Sequence, residues 1–160
     1  MFITLNVADL RKAHAIGFRR ATSEHNTVDR SYQKVSWQED IARNAEAVGA
    51  EMAVAQFFGV ADWEPTVDTY KGAADIGSRI EVKWSKWESG HLIITERDRK
   101  DDIAVLVVGA SPTYRIAGWI PVAIAKRGKY KRNDGSWWVG QPDLQSIETL
   151  MGSNYGKATL

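Results

Sequence analysis

The sequence predicts a mixed α/β fold of the α+β kind, with helices early in the chain and a sheet built from later segments. Three observations lead there. Ser36-Trp37-Gln38-Glu39 has the S-x-x-E form of a capping box and opens a proline-free run to Phe58, where Gly59 offers a stop. Residues 80–84 alternate, with Ile80, Val82 and Trp84 on one face and Glu81 and Lys83 on the other, as in a strand with one buried side. Residues 103–109 are almost continuously apolar, which predicts a central strand covered on both faces.

Taken in order, the first helix is expected over about 8–24, where Leu10, His14 and Phe18 recur at helical spacing around an unfavourable Gly17. The second runs from Ser36 to about Phe58, with Ile41, Ala45, Val48, Met52 and Ala55 as its apolar stripe and many alanines suited to close packing on a sheet. After Trp63-Glu64-Pro65 the pattern shortens to strands at about 66–70, 73–76, 80–85, 91–95, 103–109 and 114–120. Asn133-Asp134-Gly135 is a turn signal and predicts a late hairpin joining 129–131 to 137–139. The tail after Met151, with Gly152, Ser153, Asn154 and Gly156, is expected to be loosely ordered.

A chain of 160 residues is enough for one domain, 1–160, burying roughly 70% of its unfolded surface. Within it, a core over about 36–120 is followed by a basic hairpin extension at 121–150. Hydrophobic residues at 44% and charged residues at 26% match a globular composition, and the longest apolar runs fall well short of the ~20 residues of a membrane span. The N-terminus lacks a basic region followed by an apolar one, so no secretory signal and no membrane partner are expected. The absence of cysteine excludes disulfides and cysteine zinc sites and fits a cytoplasmic setting. No G-x-x-x-x-G-K-[ST] loop and no G-x-S-x-G elbow occur, which argues against ATP-driven action and acyl chemistry.

The stretch that carries chemistry lies at 72–84. Gly77-Ser78-Arg79 can close a tight hairpin with Ile76 opposite Ile80, which sets Asp75 across from Glu81 with Cβ atoms roughly 5 Å apart. Glu81 and Lys83 point the same way. Two anions held so close call for a cation, and two carboxylates with one amine are what a metal-dependent phosphodiesterase needs. The alternative is a solvated hairpin on which Glu81 and Lys83 only pair across the surface.

Asp75, Glu81-Val82-Lys83 and a preceding helix bearing Glu51 resemble the PD-(D/E)XK nuclease superfamily over roughly 36–120, with Ala74 where a proline commonly stands. The resemblance implies a restriction-endonuclease-like core, N-terminal helices packed on a mixed five- or six-stranded sheet. It also implies an enzyme: a Mg²⁺-dependent nuclease, with Mn²⁺ able to substitute, acting on DNA, similar to small phage-type members and so at home in a host cytoplasm. Asp75, Glu81 and the backbone carbonyl of Val82 would hold the metal through hard oxygens. Lys83 would orient the attacking water or stabilise the transition state as a cation; a role as base would need a lowered pKa. Glu51 would help hold the first metal or a second one. The helical wheel favours it over Glu46, since Glu51 lies between Val48 and Ala55 at the border of the apolar stripe. A homodimer, with one site for each strand, is common among such enzymes.

Over 115–160 there are seven Lys or Arg against three Asp or Glu, and five of the seven are Lys126, Arg127, Lys129, Lys131 and Arg132. This patch can lie along a phosphate backbone or be a charged arm in solvent. Lys86 could touch phosphate but has the wrong strand parity. Trp84 and Trp119 fit core positions, whereas Trp87, Trp137 and Trp138 either stack on bases or fill a second apolar face. His91 stands without a ligand partner, and Asp98, Asp101 and Asp102, interleaved with Arg97, Arg99 and Lys100, read as a solvated turn. The competing function is a non-catalytic nucleic-acid-binding or assembly protein that keeps the fold; an unrelated α+β interaction domain is the third.

Overall fold

Local chemistry at their N-termini sets where the helices begin. In the computed structural model, which describes residues 1–23, 35–68, 72–156 and 160, α1 (Val7–Thr22) starts where the Asn6 side chain accepts from the Asp9 N–H at 2.9 Å. The second helix, α2 (Trp37–Phe58), starts where Ser36 Oγ accepts from the Glu39 N–H at 3.1 Å, and Gly59 caps its far end. Each bond satisfies a donor that the helix itself leaves unpaired. Glu39 turns its carboxylate to Arg43 at 3.0 Å, so only half of the capping box forms.

The face that α1 buries is Ala13, Gly17 and Ala21, one step round from the expected Leu10, His14 and Phe18. His14 and Phe18 are exposed, and Leu10 packs at the flank. Close approach is the reason: a Cβ on Gly17 would come within 2.5 Å of the Ala45 backbone nitrogen of α2. Small residues occupy the crossing and large ones are displaced to its edges. α2 carries the predicted stripe, but over residues 48–55 it is buried all round, because it lies between α1 and the sheet.

The main sheet has four strands in the order β1 (Phe2–Thr4), β5 (Thr113–Pro121), β4 (Ile103–Ala110), β2 (Ile80–Ser85). β1 and β4 run antiparallel to β5, and β2 runs parallel to β4, which makes the sheet mixed. A separate antiparallel pair joins β3 (Leu92–Ile94) to β6 (Trp137–Val139). The protein is therefore mixed α+β, with a four-stranded sheet and a two-stranded one in place of the five or six strands expected in a single sheet. A short helix, α3 (Val122–Ala125), follows β5.

β4 serves two cores. Ile103, Val105 and Val107 pack with α1 and α2, while Ala104, Leu106 and Val108 pack with Leu92, Ile94, Ile120, Val122, Trp137 and Val139. This explains its uninterrupted apolar run, and β4 is central as predicted. It also explains why the late hairpin does not form as expected. Lys131 and Trp137 share a single bridge across the Asn133-Asp134-Gly135 turn, residues 128–130 take a short 3-10 turn, and β6 pairs with β3 instead. Burying Trp137 and Val139 in the second core outweighs extending a local ladder.

Three further expectations change. Residues 66–68 are not a strand, and 69–71 lie outside the described residues. The strand expected at 73–76 shrinks to one bridge at Ile76, because the Asp75 side chain takes the Val82 N–H that a neighbouring strand would have used. Residues 151–156 are held rather than loose, with Tyr155 set edge-on to Trp119 at 5.8 Å and Ser153 Oγ donating to the Leu150 carbonyl at 2.6 Å. Among the described residues, no helix is long and apolar enough to cross a membrane.

Candidate active site

The 76–80 turn closes as the sequence predicts. Ile76 and Ile80 exchange both backbone hydrogen bonds at 3.1 Å, and Gly77 at φ 57° makes the tight return possible. Trp63 Nε1 donates to the Asp75 carbonyl at 2.7 Å, fixing the backbone from the other side. Asp75 then bends its carboxylate to the strand, where Oδ2 accepts from the Val82 N–H at 2.7 Å.

β2 is the edge of the main sheet, and its free side belongs to this site. Arg79 turns its carbonyl to the Ile103 N–H of β4, at 2.8 Å, while Ile80 and Val82 turn their N–H groups to Ile76 and Asp75. Since N–H and C=O of one strand residue point to the same side, the Val82 carbonyl shares the free edge with the Asp75 carboxylate. Two candidate oxygen donors predicted from sequence thus lie along one edge.

Glu81 and Lys83 project from the same face of β2, with Lys83 Nζ donating to Glu81 Oε1 at 3.0 Å and to Asp98 Oδ1 at 2.7 Å. Asp98 was expected in a solvated turn. It is buried instead, and its other oxygen accepts from both the Thr95 N–H, at 2.6 Å, and Thr95 Oγ1, at 3.0 Å. Asp102, expected in the same solvated turn, is buried as well and accepts from Arg99 Nε at 2.8 Å; a Thr-x-x-Asp spacing is the only sequence signal that marks Asp98. Burial disfavours charge on Lys83, but the charges of Glu81 and Asp98 and their hydrogen bonds more than offset this and hold the ammonium above the ordinary lysine range. Two carboxylates thus hold Lys83 in place as an ammonium.

Glu51 reaches the cluster from α2, only 6% exposed, with both oxygens gripped by Arg20 at 2.7 and 2.9 Å. Burial pushes its carboxyl up, and the Glu81 charge adds to that, against the pull of Arg20. Burial, then the charges of Glu51 and Glu81, push the Asp75 carboxyl up to about 8, against the Val82 N–H and Lys83. Three acidic groups thus act on one another at the sheet edge. Glu46 is elsewhere: it accepts from the Ser111 N–H, Ser111 Oγ and Tyr114 OH at 2.7–2.9 Å.

No family model, curated protein or solved structure matches this chain.

Among the described residues, no three His, Cys, Asp or Glu side chains converge closely enough to hold a metal as they stand. The donor set nevertheless fits a hard cation that keeps most of its water. Asp75 Oδ1 and Glu81 Oε2 accept no hydrogen bond among the described residues, and the Val82 carbonyl shares the edge with Asp75. Burial first, and then the charges of Glu51 and Glu81, disfavour a bare carboxylate at Asp75, and a bound cation would offset both.

The cations of the basic extension lie against different neighbours. Lys126 Nζ donates to the carbonyls of Glu96 and Asp98, at 3.0 and 2.7 Å, and so buttresses the loop that holds Lys83. Lys129 lies over Tyr130 and near Asp143, Lys131 over Trp137 and Arg132 over Trp138, while Arg127 is exposed. Lys86 follows the end of β2 and lies 4.8 Å over the Trp87 ring. Trp137 fills the second core, and Trp138 and Trp87 border a cleft that leads to Lys83.

Proposed function

We propose that this protein is a metal-dependent nuclease that hydrolyses phosphodiester bonds of DNA, on a core of the restriction-endonuclease-like kind. One observation carries the reading: the Asp75 carboxylate and the Val82 carbonyl share the free edge of β2, the Glu81 charge acts on Asp75, and Lys83 is held as a cation by Glu81 and Asp98. The pattern that the sequence shares with the PD-(D/E)XK superfamily supports it, as does the position of Glu51 on the helix packed behind the strand.

Asp75, Glu81 and the Val82 carbonyl would hold Mg²⁺, which supplies Lewis-acid activation of water and of the scissile phosphate. The chain's own residues do the rest. Asp98 and Glu81 hold Lys83 in place, so its charge faces the negative charge that grows on the phosphate oxygens without reorganisation during reaction. Arg20 offsets much of the Glu51 charge, and what remains, together with Glu81, would favour a cation at Asp75. Asp75 would have to be deprotonated to hold the metal, so metal affinity is expected to rise with pH.

The test is cleavage of supercoiled, linear duplex and single-stranded DNA with Mg²⁺, Mn²⁺ or EDTA, beside Lys83→Ala and Asp75→Asn proteins. Metal-dependent cleavage lost in both variants supports the reading. A second reading, non-catalytic DNA binding on the same fold, is favoured by the bidentate Arg20–Glu51 pair, which already neutralises one carboxylate with a protein cation. DNA binding without cleavage in any metal would select it.

A further inference from the structure

A cleft of about 590 Å³ opens beside Lys83, within the size range of small-molecule sites. Its lining includes Lys83, Ser85, Trp87, His91, Ile93 and Trp138 and, among the described residues, no carboxylate side chain. Trp87 stands at its rim, 66% exposed.

An indole left in water costs stability, and here the backbone beneath it is fixed rather than loose. Ser85 Oγ accepts from the Trp87 N–H at 3.2 Å, and the Gly90 N–H donates to the Trp87 carbonyl at 2.9 Å. Gln141 Nε2 donates to the carbonyls of Glu88 and Gly90, at 2.8 and 3.0 Å, and Arg115 adds a bond to the Glu88 carbonyl at 3.1 Å. The loop is pinned from both sides so as to present Trp87 outward. Such pre-ordering lowers the entropy cost of binding something planar against the ring.

The charges around the rings narrow what that is. Lys86 Nζ lies 4.8 Å over Trp87, and the Arg132 guanidinium lies 5.5 Å over Trp138, which also meets the His91 ring at 5.7 Å. An apolar peptide would use the rings but not the cations. A nucleobase carried on a phosphate uses both, and rings with interspersed cations are how sequence-tolerant single-strand sites are built. Bases in a duplex have their faces covered by stacking, so only an unpaired base can enter.

We propose that the Trp87–Trp138 cleft takes an unpaired DNA base, so that the strand presented to Glu81 and Lys83 is single-stranded or locally opened. The link to cleavage rests on the nuclease reading above; the binding of the base does not. The test measures affinity by fluorescence anisotropy in EDTA, with a short labelled oligonucleotide alone and as a duplex. Wild type should prefer the single strand. Trp87→Ala, an exposed position whose loss does not open a core, should weaken single-strand binding about tenfold or more and leave duplex binding unchanged. Trp87→Phe should recover most of the loss. Equal affinity for the two forms, or an unchanged Trp87→Ala, overturns the proposal. Cleavage with Mg²⁺ is scored separately: Trp87-dependent single-strand binding without cleavage keeps the base site and removes the nuclease, whereas duplex cleavage indifferent to Trp87→Ala does the reverse.

Discussion

Glu46 and Glu51 sit on one helix and are both sheltered from water, yet the protein satisfies them in opposite ways. Glu46 accepts three bonds from neutral donors, the Ser111 N–H, Ser111 Oγ and Tyr114 OH, and in return its charge, after burial, holds the Tyr114 hydroxyl well above its ordinary pKa. Glu51 is met by a single cation, Arg20, and by other carboxylates. Neutral dipoles close a junction between α2 and the β4–β5 turn. A cation among carboxylates leaves a field that a proton or a metal can still rebalance, so only the Glu51 end is suited to chemistry.

The largest test of this contrast is Arg20→Ala, which leaves Glu51 buried without its partner. A loss of about 3–5 kcal/mol is expected, with a drop of roughly 6–15 °C in thermal midpoint. Adding Glu51→Gln should recover part of it; no recovery would mean that Arg20 acts through its bond to the Thr66 carbonyl instead. Next comes Lys83→Ala, expected to cut metal-dependent cleavage about 10²–10³-fold. Its counterpart Asp98→Asn should reduce cleavage less, and rates equal to wild type would show that Asp98 does not position the cation.

Glu46→Ala should cost about 1–3 kcal/mol by stranding the Tyr114 hydroxyl and the Ser111 N–H, with cleavage per folded molecule unchanged. A specific loss of activity there would erase the distinction between the two ends of α2. The smallest effect expected is on pH dependence. The Asp75 carboxyl is pushed up to about 8 when folded, from 3.8 ordinarily, so between these values the native state binds more protons than the unfolded one. Its contribution to stability therefore declines as pH rises through that window, and the deficit is complete above about 8. In EDTA, Asp75→Asn should gain on wild type as pH rises from about 5 to 9, and Mg²⁺ should reverse the order at high pH. Parallel pH curves would mean that Asp75 is not strained by its neighbours.

What the sequence reveals follows the range of the forces involved. The Ser36 cap, the alternation of β2, the Ile76–Ile80 turn and the apolar run of β4 are each set within a few residues, and each is visible as a pattern. The site strand inherits that clarity, since strand parity alone puts Glu81 and Lys83 on one face. The inward turn of Asp98 and Asp102 is not visible in this way, because the charged run around them masks which carboxylates are buried, and Lys83 holds Asp98 from fifteen positions away. The three-residue β1 is too short to carry a period, and β6 follows a partner some 45 positions upstream rather than its adjacent turn. The stacking of Lys131 and Arg132 on indoles is likewise a product of tertiary approach, so a run that reads as a phosphate track becomes part of aromatic walls.

The double duty of β4 bears on how the chain can be cut or assembled. One strand supplies the floor of both cores, so the layer made by residues after Pro121 is not an appendage but the second wall of the sheet. A fragment ending at Pro121 would leave Ala104, Leu106 and Val108 facing water beside the bare face of β3, a sticky surface prone to precipitation. The same fragment should regain solubility when a separately produced 122–160 segment is supplied, in the manner of a split protein.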